Sequence, residues 1–208
     1  MAAPKHQHMT YNDIHHLIRD SAERIKEFRP DMLIAIGGGG FFPARVLRTF
    51  LKDASTKRNI PIHAIGLSLY ESLPGTTAEQ IGNEVIRTQW LGPESGKILL
   101  GRRALIVDEV DDSRKTLHYA VSELQRDVER ELLALPEAER DAKRTHFAIF
   151  VVHNKLKPKQ GTLPVDIPYY AGAEVADVWL DYPWESVDIE EHDRLAAEER
   201  KQEREQAA

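Results

Sequence analysis

The stretch that decides the fold is ALIVDEVDDSRKTLHYA, residues 104–120. It begins as a continuous apolar run, which predicts a strand buried on both faces of a sheet, and it ends in a helical pattern. Between the two stand four acids within five residues, namely Asp108, Glu109, Asp111 and Asp112. Because like charges repel, these acids are either a solvated turn that caps the helix or part of a site whose ligand brings hydroxyl groups or a cation among them.

Three other apolar runs, at residues 31–36, 60–70 and 146–154, predict further strands, and helical patterns separate them. Strands that are apolar throughout and alternate with helices indicate an α/β fold with a mainly parallel, twisted sheet flanked by helices. Ligands of such sheets bind beyond the carboxyl ends of the strands. The polar and glycine-rich sequences that follow three of the four strands are therefore expected to meet at one edge.

Composition divides the chain into three parts. Residues 1–160 carry the strand and helix pattern and predict the core, in which the irregular residues 71–97 are expected to form an active-site flap. Residues 161–190 are rich in proline and aromatic residues, which predicts a small lobe where Tyr182 and Trp184 serve packing. Residues 191–208 are charged and lack an apolar face, so they are either a solvated helix or disordered.

Charge and composition exclude several classes of protein. The 208 residues have a net charge of −6, which argues against general nucleic-acid binding, and they include no cysteine for disulfide or thiolate chemistry. No segment approaches the roughly 18 consecutive apolar residues of a membrane span, and the first residues lack a signal-peptide pattern. A cytoplasmic protein with no membrane or nucleic-acid partner is expected. The histidines near the N-terminus are interpreted as incidental surface residues rather than a metal site.

The run GGGGFFPAR, residues 37–45, follows a strand and precedes a helix. Its backbone amides can approach an anion closely, with help from the helix N-terminus. The third glycine of the dinucleotide fingerprint is missing. A tight turn explains one or two glycines, so contact with a phosphate or pyrophosphate is favoured over a plain turn.

The loop after the acids predicts a second phosphate site. Residues 112–116 place several amides and two hydroxyls between strand and helix, which suits a phosphate monoester. Asp108 and Glu109 would repel that phosphate, but they suit the two vicinal hydroxyls of a ribose, or Mg²⁺. A phosphate loop beside paired acids therefore indicates a ribose 5-phosphate.

The sequence ALIVDEVDDSRKT resembles the phosphoribosyl-diphosphate signature of the type I phosphoribosyltransferases, which has a hydrophobic strand, an acid pair and a phosphate loop. The resemblance extends along nearly the whole chain to the fungal hypoxanthine–guanine and xanthine phosphoribosyltransferases, through RPDMLIAIGGGGFFPARVLRTFL, EVIRTQW, IFVVHNKLKP and WLDYPWE. It implies the type I phosphoribosyltransferase fold, with residues 161–190 as a small C-terminal hood lobe over the base.

The resemblance also implies roles for single residues. Asp108 and Glu109 would bind the ribose hydroxyls and Mg²⁺, with Asp181 as a further metal ligand. Asp112 would be the catalytic acid near purine N7. The 5-phosphate would be bound by Asp111, Asp112, Ser113, Arg114, Lys115 and Thr116.

For the base and the pyrophosphate, the resemblance implies three further sets of residues. Lys155 would bind the exocyclic O6, Trp179 would stack on the base, and the backbone of Trp179 and Leu180 would read the 2-position. The pyrophosphate loop would be Gly37, Gly38 and Gly39. Because this loop lacks the Lys or Arg often found there, Arg45, Arg87 and Mg²⁺ are candidates for the balancing charge, and Tyr70 is a candidate cover for the diphosphate.

The implied reaction is the transfer of the 5-phosphoribosyl group from phosphoribosyl diphosphate to N9 of a 6-oxopurine, which forms IMP, GMP or XMP and pyrophosphate in purine salvage. The cofactor would be Mg²⁺ and the assembly a homodimer. The choice among hypoxanthine, guanine and xanthine stays open. The alternative is a non-catalytic nucleotide sensor with the same fold, which could dispense with Asp112 and Lys155.

Overall fold

A six-stranded sheet forms the centre of the computed structural model, which describes residues 5–52, 59–69, 84–92 and 94–207. The strands are β1 His6–His8, β2 Met32–Gly37, β3 Ile62–Ser68, β4 Ile86–Gln89, β5 Arg103–Asp111, β6 His146–Lys155, β7 Tyr169–Val175 and β8 Trp179–Asp181. The helices are α1 Tyr11–Phe28, α2 Phe41–Leu51, α3 Ser95–Leu99, α4 Lys115–Leu133, α5 Glu137–Arg140 and α6 Ile189–Ala207, with a 3-10 turn at Asp141–Lys143.

The strand order of the main sheet is β4-β3-β2-β5-β6-β7. Every neighbouring pair is parallel except β3 and β4, which are antiparallel. The predicted α/β fold with a mainly parallel sheet is therefore confirmed. The four predicted strands correspond to β2, β3, β5 and β6.

The apolar run of β5 is explained by cover on both faces of the sheet. Leu105 and Val107 point into one core cluster with α1 and α2, and Ala104 and Ile106 point into a second cluster with α3 and α4. All four side chains are fully buried. Since side chains alternate along a strand, a strand covered on both faces needs apolar residues at every position.

The C-terminal part of the chain contributes to two sheets. Within residues 161–190, β7 is the edge strand of the main sheet and pairs with β6, whereas β8 pairs in parallel with β1 in a two-stranded sheet. The charged tail is a helix, α6, and its Ala196 and His192 are buried. The tail is therefore a helix that packs on the fold through these two residues, and it differs from both the solvated helix and the disordered segment that the sequence suggested. No described helix combines the length and the apolar character needed to cross a membrane.

The predicted flap falls only partly within the described residues. Its ends contribute β4 and the start of α3. Residues 70–83 and 93 lie outside the described ranges, and they include Tyr70.

The turn from β2 to α2 is held against the central strand by Gly40. Its amide donates to the Ile36 carbonyl at 2.8 Å. A Cβ atom at Gly40 would lie 2.5 Å from the Val107 carbonyl oxygen and 2.6 Å from that of Ile36. The loop can pack this closely only with glycine at that position, and a Cβ atom at the neighbouring Gly39 would meet the Glu109 carboxyl group near the end of β5.

We expect Gly40→Ala to destabilise the fold, because the new methyl group would meet backbone atoms that cannot move aside. A loss of about 1–3 kcal/mol in the free energy of unfolding is typical of such overpacking. Gly38→Ala is the matched control, since nothing lies within 4 Å of a Cβ atom at Gly38. Urea unfolding of both variants measures the effect, and equal stability of the two would contradict the close approach.

A candidate active site at the carboxyl ends of the strands

A cleft of about 630 Å³ opens where β2, β5 and β6 end, and β8 and the segment after it complete its wall. The three polar sequences that were expected to meet do so here. The predicted site residues in the wall are Gly37, Gly38, Gly39, Asp108, Glu109, Asp111, Asp112, Ser113, Arg114, Thr116, Lys155, Trp179 and Leu180. Four predicted residues, all of them in the described ranges, do not line it: Arg45, Arg87, Lys115 and Asp181.

The acid pair lies at the end of β5. Asp108 is 9% exposed, and its Oδ1 accepts the Glu109 amide at 2.9 Å. Burial, and next the charge of Glu109, raise the pKa of Asp108 well above its ordinary value. Burial, and next the charge of Glu185, raise the pKa of Glu109 to about 7. Two crowded, poorly solvated carboxyls are suited to a ligand that brings a cation or hydroxyl donors.

Trp184 holds one of these acids. Its Nε1 donates to Glu109 Oε2 at 2.8 Å. The indole is stacked between two rings, with Phe42 at 5.4 Å and 11° and Tyr182 at 4.9 Å and 10°. Phe42 belongs to the first turn of α2, directly after the glycine loop. The ring stack Phe42–Trp184–Tyr182 therefore connects the glycine loop, the acid pair and the segment after β8.

The sequence predicted a packing role for Tyr182 and Trp184, and both pack against the core as expected. It missed their polar contacts with the acid pair. The Tyr182 hydroxyl donates to the Glu109 carbonyl at 3.3 Å and lies 2.8 Å from Nδ1 of His153, whose pKa burial lowers to about 4. The only signal in the sequence was the density of aromatic residues after position 178, which does not name a partner 75 residues away.

Asp111 shapes the loop that follows the acid pair. Its buried Oδ2 accepts hydrogen bonds from the Arg114 guanidinium at 2.7 and 2.9 Å and from the Tyr169 hydroxyl at 2.8 Å. Lys159 donates to the carbonyl oxygen of Asp111 at 2.6 Å and to that of Asp112 at 2.9 Å. Arg114 has φ 68° and directly precedes α4, so the Asp111 contacts hold the loop in the shape that starts the helix.

Two lysines pair with Asp112. Nζ of Lys155 lies 2.7 Å from Asp112 Oδ2, and Nζ of Lys157 lies 2.8 Å from Oδ1. Partial burial alone would raise the pKa of Asp112. The hydrogen bonds from the two lysines outweigh that cost and hold its pKa below the ordinary value. Asp112 is therefore a carboxylate at neutral pH, beside a lysine that is only 7% exposed.

The strand β8 presents an exposed ring to the cleft. Trp179 is 57% exposed, whereas Leu180 is buried. The Trp179 amide donates to the Lys5 carbonyl at 2.8 Å, which ties β8 to β1. An exposed indole in a cleft wall offers a flat apolar face to a planar ligand.

The four predicted residues outside the wall have contacts with other parts of the chain. Arg45 is exposed and donates to the Thr49 hydroxyl at 3.0 Å. Arg87 donates to Glu123 at 2.6 Å, and its guanidinium lies 4.0 Å from the Trp90 ring centre. Asp181 lies 2.7 Å from Nδ1 of His6. Lys115 opens α4, and its amide donates to the Ser113 hydroxyl at 3.5 Å.

Within the described ranges, no three His, Asp or Glu side chains are gathered as a metal site. The carboxyl groups in the cleft wall that could hold a metal together with oxygens of a ligand include Asp108 and Glu109.

Comparison with known proteins gave close relatives. No family model matches the chain. The chain is 54% identical over 201 residues to the hypoxanthine-guanine phosphoribosyltransferase of Schizosaccharomyces pombe, covering 93% of this chain and 96% of that one. It is 48% identical over 209 residues to xanthine phosphoribosyltransferase 1 of Saccharomyces cerevisiae, covering 94% and 97%. A solved structure of a hypothetical protein from Neisseria gonorrhoeae with bound ppGpp has a TM-score of 0.75 and 38% identity, covering 95% and 98%.

We expect Glu109→Gln to stabilise the fold at pH 8.5. The pKa of Glu109 in the folded protein, about 7, lies above the ordinary value of 4.5. The carboxyl group therefore lowers the free energy of unfolding as the pH rises from 4.5 to about 7, and the full loss is present above pH 7. Glutamine removes this cost, which is on the order of 3 kcal/mol. The gain should shrink at pH 5, where the carboxyl of the folded protein is already protonated.

Urea unfolding at the two pH values measures this effect. The exposed Glu137 of α5 supplies the control variant, Glu137→Gln, which should change stability little at either pH. If Glu109→Gln were as stable as the wild type at both pH values, the Glu109 carboxyl group would be well solvated and the prediction would be wrong.

Proposed function

Because this chain belongs to the type I purine phosphoribosyltransferases, we propose that it transfers the 5-phosphoribosyl group from phosphoribosyl diphosphate to N9 of a 6-oxopurine. The products would be pyrophosphate and IMP, GMP or XMP, as in purine salvage. The observation that carries the proposal is the single cleft that collects a glycine loop, paired acids, a hydroxyl-bearing loop and the Lys155–Asp112 pair. Each of these suits one part of the two substrates.

The two phosphate groups are assigned to the two loops. The hydroxyls of Ser113 and Thr116 and the N-terminus of the 19-residue helix α4 suit the 5-phosphate. The glycine loop Gly37–Gly39 suits the pyrophosphate, because amides without side chains can approach an anion closely. Arg114 is paired with Asp111, so its first role in this proposal is to shape the loop.

The acid pair is assigned to the ribose hydroxyls and to Mg²⁺. Two carboxylates with raised pKa values fit a hard cation, which Mg²⁺ sites typically bind through one or two carboxylates plus substrate oxygens. When bound, Mg²⁺ supplies positive charge that stabilises the pyrophosphate leaving group. Asp181 is left out of this metal site because it contacts His6 outside the cleft wall. Arg45 and Arg87 are likewise left out of the pyrophosphate site.

The base is assigned to the other end of the cleft. Lys155 would donate to O6, the Trp179 ring would cover one face, and the backbone at Leu180 would face the 2-position. As the bond between C1′ and N9 forms, the bond from C1′ to pyrophosphate breaks with its electron pair. The proton on N7 then passes to Asp112, whose lowered pKa keeps the carboxyl group ionised and therefore able to accept a proton. The carboxylates beside C1′ would stabilise the positive charge that develops there.

The alternative is a nucleotide sensor without catalysis. A sensor has no need of a base that accepts a proton or of a lysine that polarises O6, and this cleft contains both as an ion pair. The net charge of −6 also gives no support to nucleic-acid control. The enzyme is therefore the function that the site supports best. The homodimer, the cytoplasmic location and closure of the flap stay predictions.

Initial rates with hypoxanthine, guanine, xanthine and adenine test the proposal. We expect turnover of at least one 6-oxopurine with phosphoribosyl diphosphate, and a rate at least ~10²-fold lower with adenine, because Lys155 cannot accept a hydrogen bond from a 6-amino group. Nucleotide binding without turnover of any base would favour the sensor. The rank order of the three 6-oxopurines gives the base preference.

Asp112→Asn should lower turnover by about 10²–10⁴-fold, because the amide cannot take up the N7 proton. Binding of phosphoribosyl diphosphate, measured by calorimetry, should stay near the wild-type value. The exposed Asp141→Asn is the control and should keep wild-type turnover. Turnover of Asp112→Asn at the wild-type rate would remove Asp112 from the proton transfer.

A further inference from the structure

Asp112 has a separate lysine on each carboxylate oxygen, with Lys155 on Oδ2 at 2.7 Å and Lys157 on Oδ1 at 2.8 Å. We propose that Lys157 is a positioning residue that keeps Asp112 ionised and oriented when Lys155 turns away to the purine. This inference rests on the proposed function and deepens it. No pattern in the sequence marks Lys157 for a role.

The purine would compete for one of the two lysines. N7 and O6 lie side by side on the same edge of a 6-oxopurine. The Lys155–Asp112 Oδ2 pair would have to open so that the ammonium group meets O6 and Oδ2 meets N7. A carboxylate that lost its only cation on binding would have a higher pKa, and it would be protonated, and so unable to accept the N7 proton, over more of the acid pH range. The second lysine avoids this, because its contact is with the other oxygen.

A backbone hydrogen bond and two acidic side chains hold Lys157 beside Asp112. Its amide donates to the carbonyl oxygen of Lys155 at 3.0 Å, in a tight turn after β6 that brings both side chains to one carboxylate. Hydrogen bonds to Asp112 and Asp177 raise the pKa of Lys157 to about 12, so it keeps its charge at any working pH. Its side chain is 28% exposed, compared with 8% for that of Lys155.

A second hydrogen bond of Lys157 reaches the segment that precedes β8. Lys157 Nζ lies 2.8 Å from Asp177 Oδ1, and Asp177 stands two residues before Trp179. Lys157 therefore connects the proton-accepting carboxylate to the segment that leads into β8. Because the Asp177 side chain is 54% exposed, this outer bond is screened by solvent more than the bond to Asp112.

The other charged groups around Asp112 do not duplicate the role of Lys157. Lys159 contacts the backbone carbonyl of Asp112, and its carboxylate contact is with Asp111 at 3.5 Å. Arg114 is bound to Asp111. The two carboxylate oxygens of Asp112 thus have Lys155 and Lys157 as their ammonium partners in the described residues.

The test compares pH profiles of the wild type and Lys157→Met, which keeps the aliphatic stem and removes the charge. When phosphoribosyl diphosphate and Mg²⁺ saturate the enzyme, the cation offsets the raised pKa values of Asp108 and Glu109. The acid limb of kcat/KM for the base then reports Asp112 in the complex that the base enters, where Lys155 still pairs with it. The acid limb of kcat reports the bound state, where Lys155 has turned to O6. We expect Lys157→Met to move both limbs to higher pH, with the larger shift, about one pH unit, in kcat.

Two further variants separate charge from structure. Lys157→Arg keeps a cation and should restore most of the wild-type profile. Lys97→Met is the matched control, since Lys97 is an exposed lysine that bonds Glu94 at 2.7 Å outside the cleft, and its profile should match the wild type. A kcat that falls by the same factor at every pH in Lys157→Met, or limbs that do not move, would overturn the inference.

An independent readout keeps this test separate from the test of the proposed function. Titration of the Asp112 carboxyl carbon by ¹³C NMR requires no turnover, and its pKa should be higher in Lys157→Met than in wild type. An unchanged pKa would overturn the inference even in an active enzyme. Failure of the proposed function would instead be seen as a wild-type protein that turns over no purine.

Discussion

The buried carboxylate of Asp111 is the constraint on which the cleft depends. It lies at the end of the central strand β5 and is bound by Arg114, by the Tyr169 hydroxyl of the edge strand β7 and by Lys159 after β6. Burial raises the pKa of Tyr169, so the phenol stays a hydrogen-bond donor. Because a buried charge is costly without its partners, this one carboxylate holds the loop, the start of α4 and two strands in a fixed relation. The neighbouring Asp112 and Ser113 take their positions from that arrangement.

The acid pair Asp108 and Glu109, in the same cleft, lowers the stability of the fold. Asp108 and Glu109 would be more stable as neutral groups, and the fold keeps them beside one another at the end of a buried strand. Trp184 compensates for part of that cost with its N–H, and the stack with Phe42 and Tyr182 keeps the indole in place. Carboxyl groups whose ionised forms are disfavoured by burial gain the most interaction energy from a cation or from hydroxyl donors. The same contacts that support the fold therefore prepare the site for its ligand.

The sequence predicted the fold, and it singled out residues that the structure brings to one cleft, because both depend on short-range patterns. The strand, the acids and the phosphate loop follow one another from residue 104 to 116, and the parallel sheet brings the glycine loop and Lys155 to the same edge. What it missed are contacts across long separations. Trp184 meets Glu109 across 75 residues, and Lys157 meets Asp112 across 45, with no local pattern to mark either pair. Arg45 and Arg87 were chosen for charge alone, and the structure pairs them with Thr49 and Glu123.

The choice of base is the feature least accessible to sequence, and the reason is physical. In the proposal, Lys155 donates to O6. Hypoxanthine, guanine and xanthine all carry this oxygen, so the contact with Lys155 does not distinguish the three bases. The three bases differ at the 2-position, which the proposal places near the backbone of β8. One side of that backbone is occupied, since the Trp179 amide donates to the Lys5 carbonyl and β1 pairs along the whole of β8. The amides and carbonyls left for the base are therefore set by the register between β1 and β8. Discrimination at the 2-position should depend on the N-terminal strand, although none of its side chains lies among the predicted base contacts.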